Sequence, residues 1–183
     1  PNGPSQTDVI GRALAQARLA PADVGYVECH GTGTSLGDPI EVNSLREVLL
    51  ENRPASAPCW IGSAKASIGH LESAAGVAGL IKTVLMLQHR EIPPQLNVKR
   101  LNPLISFEGT PLAIPTSLQP WLGGTPRLAG ISCFSFGGTN AHVVIEEAPR
   151  GREIGTGQER GWNVLTLSAK TQNALKDLAR SYS

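Results

Sequence analysis

The sequence predicts an α/β layered fold, and three observations carry that prediction. Apolar residues at helical spacing alternate with short apolar runs through the first half of the chain. Proline and glycine punctuate each change from one pattern to the other. Two longer apolar runs, Arg127–Phe134 and Ala141–Glu147, then flank the turn residues Ser135-Phe136-Gly137-Gly138-Thr139-Asn140, as neighbouring strands do. Helices alternating with strands, followed by paired strands, call for a sheet covered by helices.

Each element has its own warrant. Thr7 or Asp8 is suited to cap a first helix whose apolar positions Val9, Ile10, Ala13, Leu14 and Ala17 lie on one face, and the helix must stop before Pro21. Val24 to Cys29 is an apolar run that predicts a strand. Asp38-Pro39 opens a second helix, with Asp38 as cap, Pro39 at the first helical position and Glu41 completing a capping box. That helix ends near Asn52-Arg53-Pro54, and Cys59 to Ser63 predicts a second strand.

Glu72 to about His89 is the strongest helix. Val77, Leu80, Ile81, Val84 and Leu85 form one face, while Ala74, Ala75, Gly76, Ala78 and Gly79 keep the other side small. A helix apolar or small all round is expected to be buried, its backbone close to its neighbours. Pro93-Pro94 ends it. Residues 95–127 predict an extended, proline-punctuated segment with a strand near Leu112–Ile114. After Pro149 the composition turns to Gly, Arg, Glu and Gln, which predicts a linker. Trp162–Ser168 is then expected as a strand and Thr171–Tyr182 as a helix. The domain organisation expected is therefore 1–149 and 150–183.

Composition narrows the function classes. The chain has 183 residues, 40% hydrophobic and 17% charged, with a formal charge of +1. Lys and Arg are scattered, so no bulk attraction to nucleic acid or to an acidic membrane is expected. Three cysteines, Cys29, Cys59 and Cys133, lack metal-ligand spacing and suggest reduced thiols in a cytoplasmic protein. No signal peptide is visible, and no apolar stretch is long enough to span a bilayer. Pro1-Asn2-Gly3-Pro4 has the character of a loop within a longer polypeptide.

Two histidines stand in dense frames of glycine and hydroxyl residues. His30 lies in Val27-Glu28-Cys29-His30-Gly31-Thr32-Gly33-Thr34, and His70 closes Gly62-Ser63-Ala64-Lys65-Ala66-Ser67-Ile68-Gly69-His70. Gly31 and Gly33 let a ligand approach the backbone, and Thr32 and Thr34 add hydroxyls for amide or carbonyl groups. A phosphate cradle competes for this loop but lacks a P-loop's lysine ending. Metal ligation competes for the two histidines but lacks a third ligand at a convincing spacing, so no metal is expected. Lys65 is a surface lysine by default; turned inward, it orients a water or carboxylate beside His70. His70, just before a helix, is expected neutral and hydrogen-bond-donating. Two neutral imidazoles aimed at one oxygen suit a developing enolate or oxyanion. The Phe136 turn is either a plain hairpin or a source of backbone N–H groups with Phe136 as wall. His89 and His142 have no such frame and are expected to be structural.

These motifs, in order, resemble β-ketoacyl synthases: His30-Gly-Thr-Gly-Thr34, Gly62-Ser-x-Lys65 through Gly69-His70-Leu-Glu72, Ile92-Pro-Pro94, Asn102-Pro103 and Phe136-Gly-Gly-Thr-Asn-Ala-His142. The likeness is to ketosynthase domains of type I polyketide synthases and covers roughly residues 1–149. Residues 162–183, with Leu167-Ser-Ala-Lys170, resemble the start of the linker domain between ketosynthase and acyltransferase.

The resemblance implies the C-terminal half of a thiolase-like fold, in a protein that is usually dimeric. It implies decarboxylative Claisen condensation of a malonyl-type extender with a cysteine-bound acyl chain. In that scheme His30 and His70 assist decarboxylation and stabilise the enolate, and Lys65 organises the His70 side. Thr32 and Thr34 bond the phosphopantetheine arm, and Phe136 supplies an oxyanion-hole N–H and a gating side chain. No cofactor is bound directly; substrates ride on the phosphopantetheine of acyl carrier protein. The expected partners are the N-terminal half of the same ketosynthase, acyl carrier protein, a neighbouring acyltransferase or linker domain, and a second copy. The resemblance also departs from the family pattern. The Thr-Ala-Cys-Ser type of nucleophile elbow is missing, so no nucleophile is assigned in this chain. Ala66-Ser67 stands where Ser-Asn is usual, and Ser135 where glycine is frequent. The alternatives are a non-elongating ketosynthase-like domain, acting as a decarboxylase or transacylation platform, and a non-catalytic structural module.

Overall fold

The computed structural model describes residues 1–122, 126–149 and 165–182. The chain divides into two compact units, Pro1–Pro149 and Arg150–Ser183.

The first unit is built on a five-stranded sheet. Its strands are β1 (Val24–Glu28), β2 (Cys59–Gly62), β4 (Leu112–Ala113), β6 (Leu128–Phe134) and β7 (Asn140–Glu146), in the order β4-β2-β1-β6-β7. β1 is central and runs parallel to β2 and β6, and β2 runs parallel to β4. Only β7 is antiparallel, pairing with β6 from Leu128↔Glu146 to Phe134↔Asn140. A central parallel strand is covered on both faces, which is why β1 is an almost continuous buried run. Because β1, β2 and β6 are parallel, their C-terminal ends open on the same edge of the sheet, where ligand sites of such sheets form.

One face is covered by α1 (Gly3–Ala17) and α2 (Gly37–Leu49). Ile10, Leu14, Val24, Val27, Leu45, Leu49, Ile61 and Leu112 form one core cluster there. Full burial of such side chains stabilises by about 1.5–3 kcal/mol each. The first helix begins earlier than Thr7 or Asp8. Asn2 Oδ1 accepts the Ser5 N–H at 3.1 Å, and Pro4 in the first turn leaves no N–H unsatisfied. Arg53 closes the end of α2. Its buried guanidinium donates to the carbonyls of Leu49, Ala57, Pro21 and Val24 at 2.8, 3.0, 2.6 and 2.7 Å.

The other face carries α4 (Ala75–His89), reached from β2 through the single turn α3 (Lys65–Ile68) and a 3₁₀ turn at Glu72–Ala74. Met86 and Leu87 pack with Tyr26, Ile92, Trp121 and Ala129. The expectation that this helix is buried all round is corrected. Val77, Ile81 and Leu85 are 58%, 56% and 48% exposed, and Val84 is 39% exposed. The small face meets the sheet, as the glycines predicted, and the large apolar face points outward from this chain.

Other differences follow from element length. β3 (Glu91–Ile92) pairs antiparallel with β5 (Gln119–Pro120), a two-residue ladder too short to leave a period in the sequence. Of the strand expected over Trp162–Ser168, residues 162–164 lie outside the described residues. The remainder is neither helix nor strand, and no strand pairs with it among the described residues. The final helix α5 spans Gln172–Arg180, with Thr171 Oγ1 accepting the Ala174 N–H.

Candidate active site

Three strand ends build the site. β1 delivers His30, β2 leads through Ser63-Ala64 into Lys65 and His70, and β6 delivers Phe134. The Phe134 N–H donates to His30 Nδ1 at 3.3 Å, joining residues 104 positions apart. The rings of His30 and Phe134 lie 5.8 Å apart between centroids.

The loop after β1 turns on Gly31 and Gly33, whose φ values of 45° and 73° lie in the left-handed region. A Cβ at Gly31 would stand 2.8 Å from Ser63 Cβ, so glycine also lets this loop touch the one that follows β2. The turn aims its N–H groups at α2. Glu41 accepts from His30 N–H at 2.7 Å and from Gly31 N–H at 2.9 Å, and Asp38 accepts from Gly33 N–H at 3.1 Å. The expected capping box is therefore corrected. Helix α2 starts at Gly37 without a side-chain cap on its preceding residue, while Thr34 Oγ1 accepts the Gly37 N–H at 3.0 Å. The two carboxylates hold the histidine loop by accepting its inward N–H groups. Burial pushes the Glu41 carboxyl up to about 7, opposed by its two backbone donors and by Lys65.

His30 is half-buried, and burial lowers it to about 4, with the Lys65 charge and then His70 adding to the shift. It is neutral at pH 7. His70 is exposed, and its Nδ1 accepts the Glu72 N–H at 2.8 Å. The two imidazoles stand edge to face, 5.7 Å between centroids and 79° between planes. In each ring Nδ1 is occupied as an acceptor. The hydrogen-bond pattern therefore assigns the proton of the neutral ring to Nε2, as a donor.

Lys65 opens α3, which ends at Gly69 with φ 78° and hands the chain to His70. One helical turn thus spaces the two. An open cavity of about 590 Å³ is lined by Gly31, Thr32, Glu41, Lys65, Gln95 and Phe107, among others. Thr32 and Thr34 are exposed, with their hydroxyls 3.5 Å apart.

The family model described as "Beta-ketoacyl synthase, C-terminal domain" matches residues 1–99, and "Ketoacyl-synthetase C-terminal extension" matches residues 102–183. The chain belongs to the β-ketoacyl synthase family. Polyketide synthase GfsB of Streptomyces halstedii is 44% identical over 203 residues, covering 98% of this chain and 4% of that protein. Erythronolide synthase EryA3 of Saccharopolyspora erythraea is 44% identical over 177 residues, covering 96% of this chain and 6% of that protein. The chain thus spans a small fraction of the curated relatives it matches. Among solved structures, the oxazolomycin ketosynthase domain OzmH KS7 of Streptomyces albus JA3453 aligns at TM-score 0.75 and 44% identity, over 81% of this chain and 27% of that one. The ketosynthase from module 6 of the bacillaene synthase of Bacillus subtilis 168 aligns over 100% of this chain and 31% of its own, at TM-score 0.75 and 37% identity. The sheet and its helical layers are accordingly the C-terminal portion of the thiolase-like ketosynthase fold.

Within this ketosynthase fold, the His30 and His70 rings lie 5.7 Å apart between centroids, and the Lys65 charge acts on His30. Phe136 stands fully exposed in the turn after β6, and the buried Phe134 packs on His30. Cys29 and Cys59 are buried thiols, Cys29 raised well above its usual range and Cys59 to about 12, chiefly by burial. His142 packs on Gly130 with Nδ1 3.0 Å from Ser132 Oγ, and burial lowers it to about 4.

Sequence reasoning missed Glu28, Lys82 and Gln95. Glu28 is 3% exposed on β1, and its carboxylate accepts from Tyr26 Oη and Lys82 Nζ, each at 2.7 Å, and from the Ala64 N–H. A charged residue inside an apolar strand run was the available signal, since buried carboxylates are found paired.

Proposed function

We propose that this chain supplies the histidine half of a polyketide ketosynthase that performs decarboxylative Claisen condensation. The observation that carries it is the matched contacts of the two adjacent imidazoles: each Nδ1 accepts a backbone N–H, which leaves Nε2 of each ring as the donor. Neutral donors aimed at one carbonyl oxygen stabilise charge that develops only as reaction proceeds. As the malonyl-type carboxylate leaves as CO2, the electron pair of the breaking C–C bond enters the thioester carbonyl. His30 and His70 hold the resulting enolate oxygen. The enolate carbon then attacks a cysteine-bound acyl thioester, and the cysteine thiolate departs. Lys65 organises the His70 side, and Thr32 and Thr34 bond the phosphopantetheine arm of acyl carrier protein. The Phe136 N–H serves the second oxyanion, with its side chain as gate.

The outward apolar face of α4 supports the N-terminal half of the same ketosynthase as a partner, because an apolar face of that kind requires cover. The nucleophile is assigned to that half, the protein acts as a homodimer, and its working compartment is the cytoplasm. The test is His70→Ala in the complete ketosynthase. Release of CO2 from a malonyl-loaded carrier should fall by at least tenfold while acylation of the cysteine persists. Normal decarboxylation with lost acylation would refute the assignment.

A further inference from the structure

We propose that Lys82, acting through Glu28, is a positioning residue that fixes the Lys65–His70 segment against His30. The inference rests on the condensing reaction proposed above and deepens it. Glu28 lies two residues before His30, and its single carboxylate joins three elements. One oxygen accepts the Ala64 N–H, at the residue before Lys65. The other accepts Lys82 Nζ from α4 and the Tyr26 hydroxyl of β1. Lys82 Nζ also lies 2.8 Å from Tyr26 Oη and over the Tyr26 ring, 5.4 Å from its centroid.

The surroundings are shaped to admit this pair. A Cβ at Gly79, one turn before Lys82, would come within 2.9 Å of Glu28 Cγ, so glycine is what lets α4 approach the carboxylate. A Cβ at Gly62 would come within 2.9 Å of Tyr26 Oη and of Gln95 Oε1. Gln95 adds to the hold, accepting the Ser63 N–H at 2.8 Å and donating to the Ser63 carbonyl at 3.2 Å. A small cavity bounded by Glu28, Ala64, Lys65 and Gly69 places the carboxylate beside the space under the catalytic lysine. The residues just before Lys65 are thus held by side chains rather than by sheet pairing, and the charge on Lys82 keeps the central carboxylate in place. Without it, a buried carboxylate loses its counter-charge, and the most accessible relief is movement of the Ala64 turn.

The experiment uses the complete ketosynthase with Lys82→Met and Lys82→Arg. Acylation of the cysteine by a short acyl thioester, turnover of malonyl-loaded carrier and the KM for that carrier are measured in parallel. Lys82→Met should lower kcat for decarboxylation and condensation by about 10–100-fold, with acylation and KM changed less than about threefold. Lys82→Arg, which keeps the counter-charge, should recover at least half of the logarithmic loss. Should Lys82→Met fail to fold, Glu28→Gln carries the same test, because it keeps an acceptor for Ala64 and removes the charge. An equal loss of acylation and condensation, an unchanged kcat, or failure of both variants to fold would overturn the proposal. If the parent itself acylates but releases no CO2, it is the condensing function that fails, which the parent control separates from failure of the Lys82 role.

Discussion

Glu41→Gln tests whether burial or hydrogen bonding governs the carboxylate that holds the His30 loop. Glu41 is 4% exposed and accepts two backbone N–H groups. Its carboxyl is raised from 4.5 to about 7, with burial the leading cause. A folded-state value above the unfolded one contributes stability that is fully present below pH 4.5 and lost as pH rises through 7. For a group this buried, that contribution is about 3 kcal/mol. Glutamine does not titrate, but it offers one acceptor where the loop presents two donors, costing about 1–2 kcal/mol at low pH.

The variant's deficit should therefore shrink by about 3 kcal/mol between pH 4.5 and 8 and reverse sign in the lower half of that range, once about 1–2 kcal/mol has been lost. Urea titrations of the two complete ketosynthases at four pH values measure it. His30 and His142, both lowered to about 4, are titrated identically in the two proteins and cancel in the difference. A deficit that stays constant or grows with pH would refute the reasoning. It would mean that the His30 and Gly31 donors hold the carboxylate charged against its burial.

Arg53→Ala removes four charge-assisted bonds to the carbonyls around the end of α2 and should cost about 3–5 kcal/mol in denaturant unfolding. Arg53→Lys should recover less than half, because one ammonium cannot span all four carbonyls. Gly31→Ala forces a left-handed φ of 45° and a contact of 2.8 Å with Ser63 Cβ. It should cost about 2–3 kcal/mol and lower condensation, measured by product formation, more than cysteine acylation.

Much of the fold was legible because β1, β2 and β6 each bury an apolar run, β7 follows β6 across a glycine turn, and α2 and α4 each carry a long helical period. What was misjudged has physical causes. The outward face of α4 cannot be told from a buried one by composition, since only a neighbour decides which apolar face is covered. Asp38 and Glu41 satisfy a capping pattern in sequence, yet the glycine turn before them offers better donors. His30, Lys65 and His70 were visible through their glycine and hydroxyl frames. Phe134 was not, because a phenylalanine at a strand end looks like any core residue until the strand partners are known. Glu28 was passed over inside a motif chosen for its histidine.

The departure at Ala66-Ser67 shows where the site's precision resides. The contacts that orient the two imidazoles run from backbone N–H groups of Phe134 and Glu72, not from the side chains at 66 and 67. The Ala66 carbonyl is itself held by Asn97 Nδ2 at 2.8 Å, from the segment after α4. Ser67 is exposed. Substitution at 66 and 67 therefore leaves the donor state of both rings intact, because that state is imposed by strand ends and turns. A change that moves the backbone of Ala64, Phe134 or Glu72 would disturb it, since each carries an N–H on which the geometry of Lys65, His30 or His70 depends.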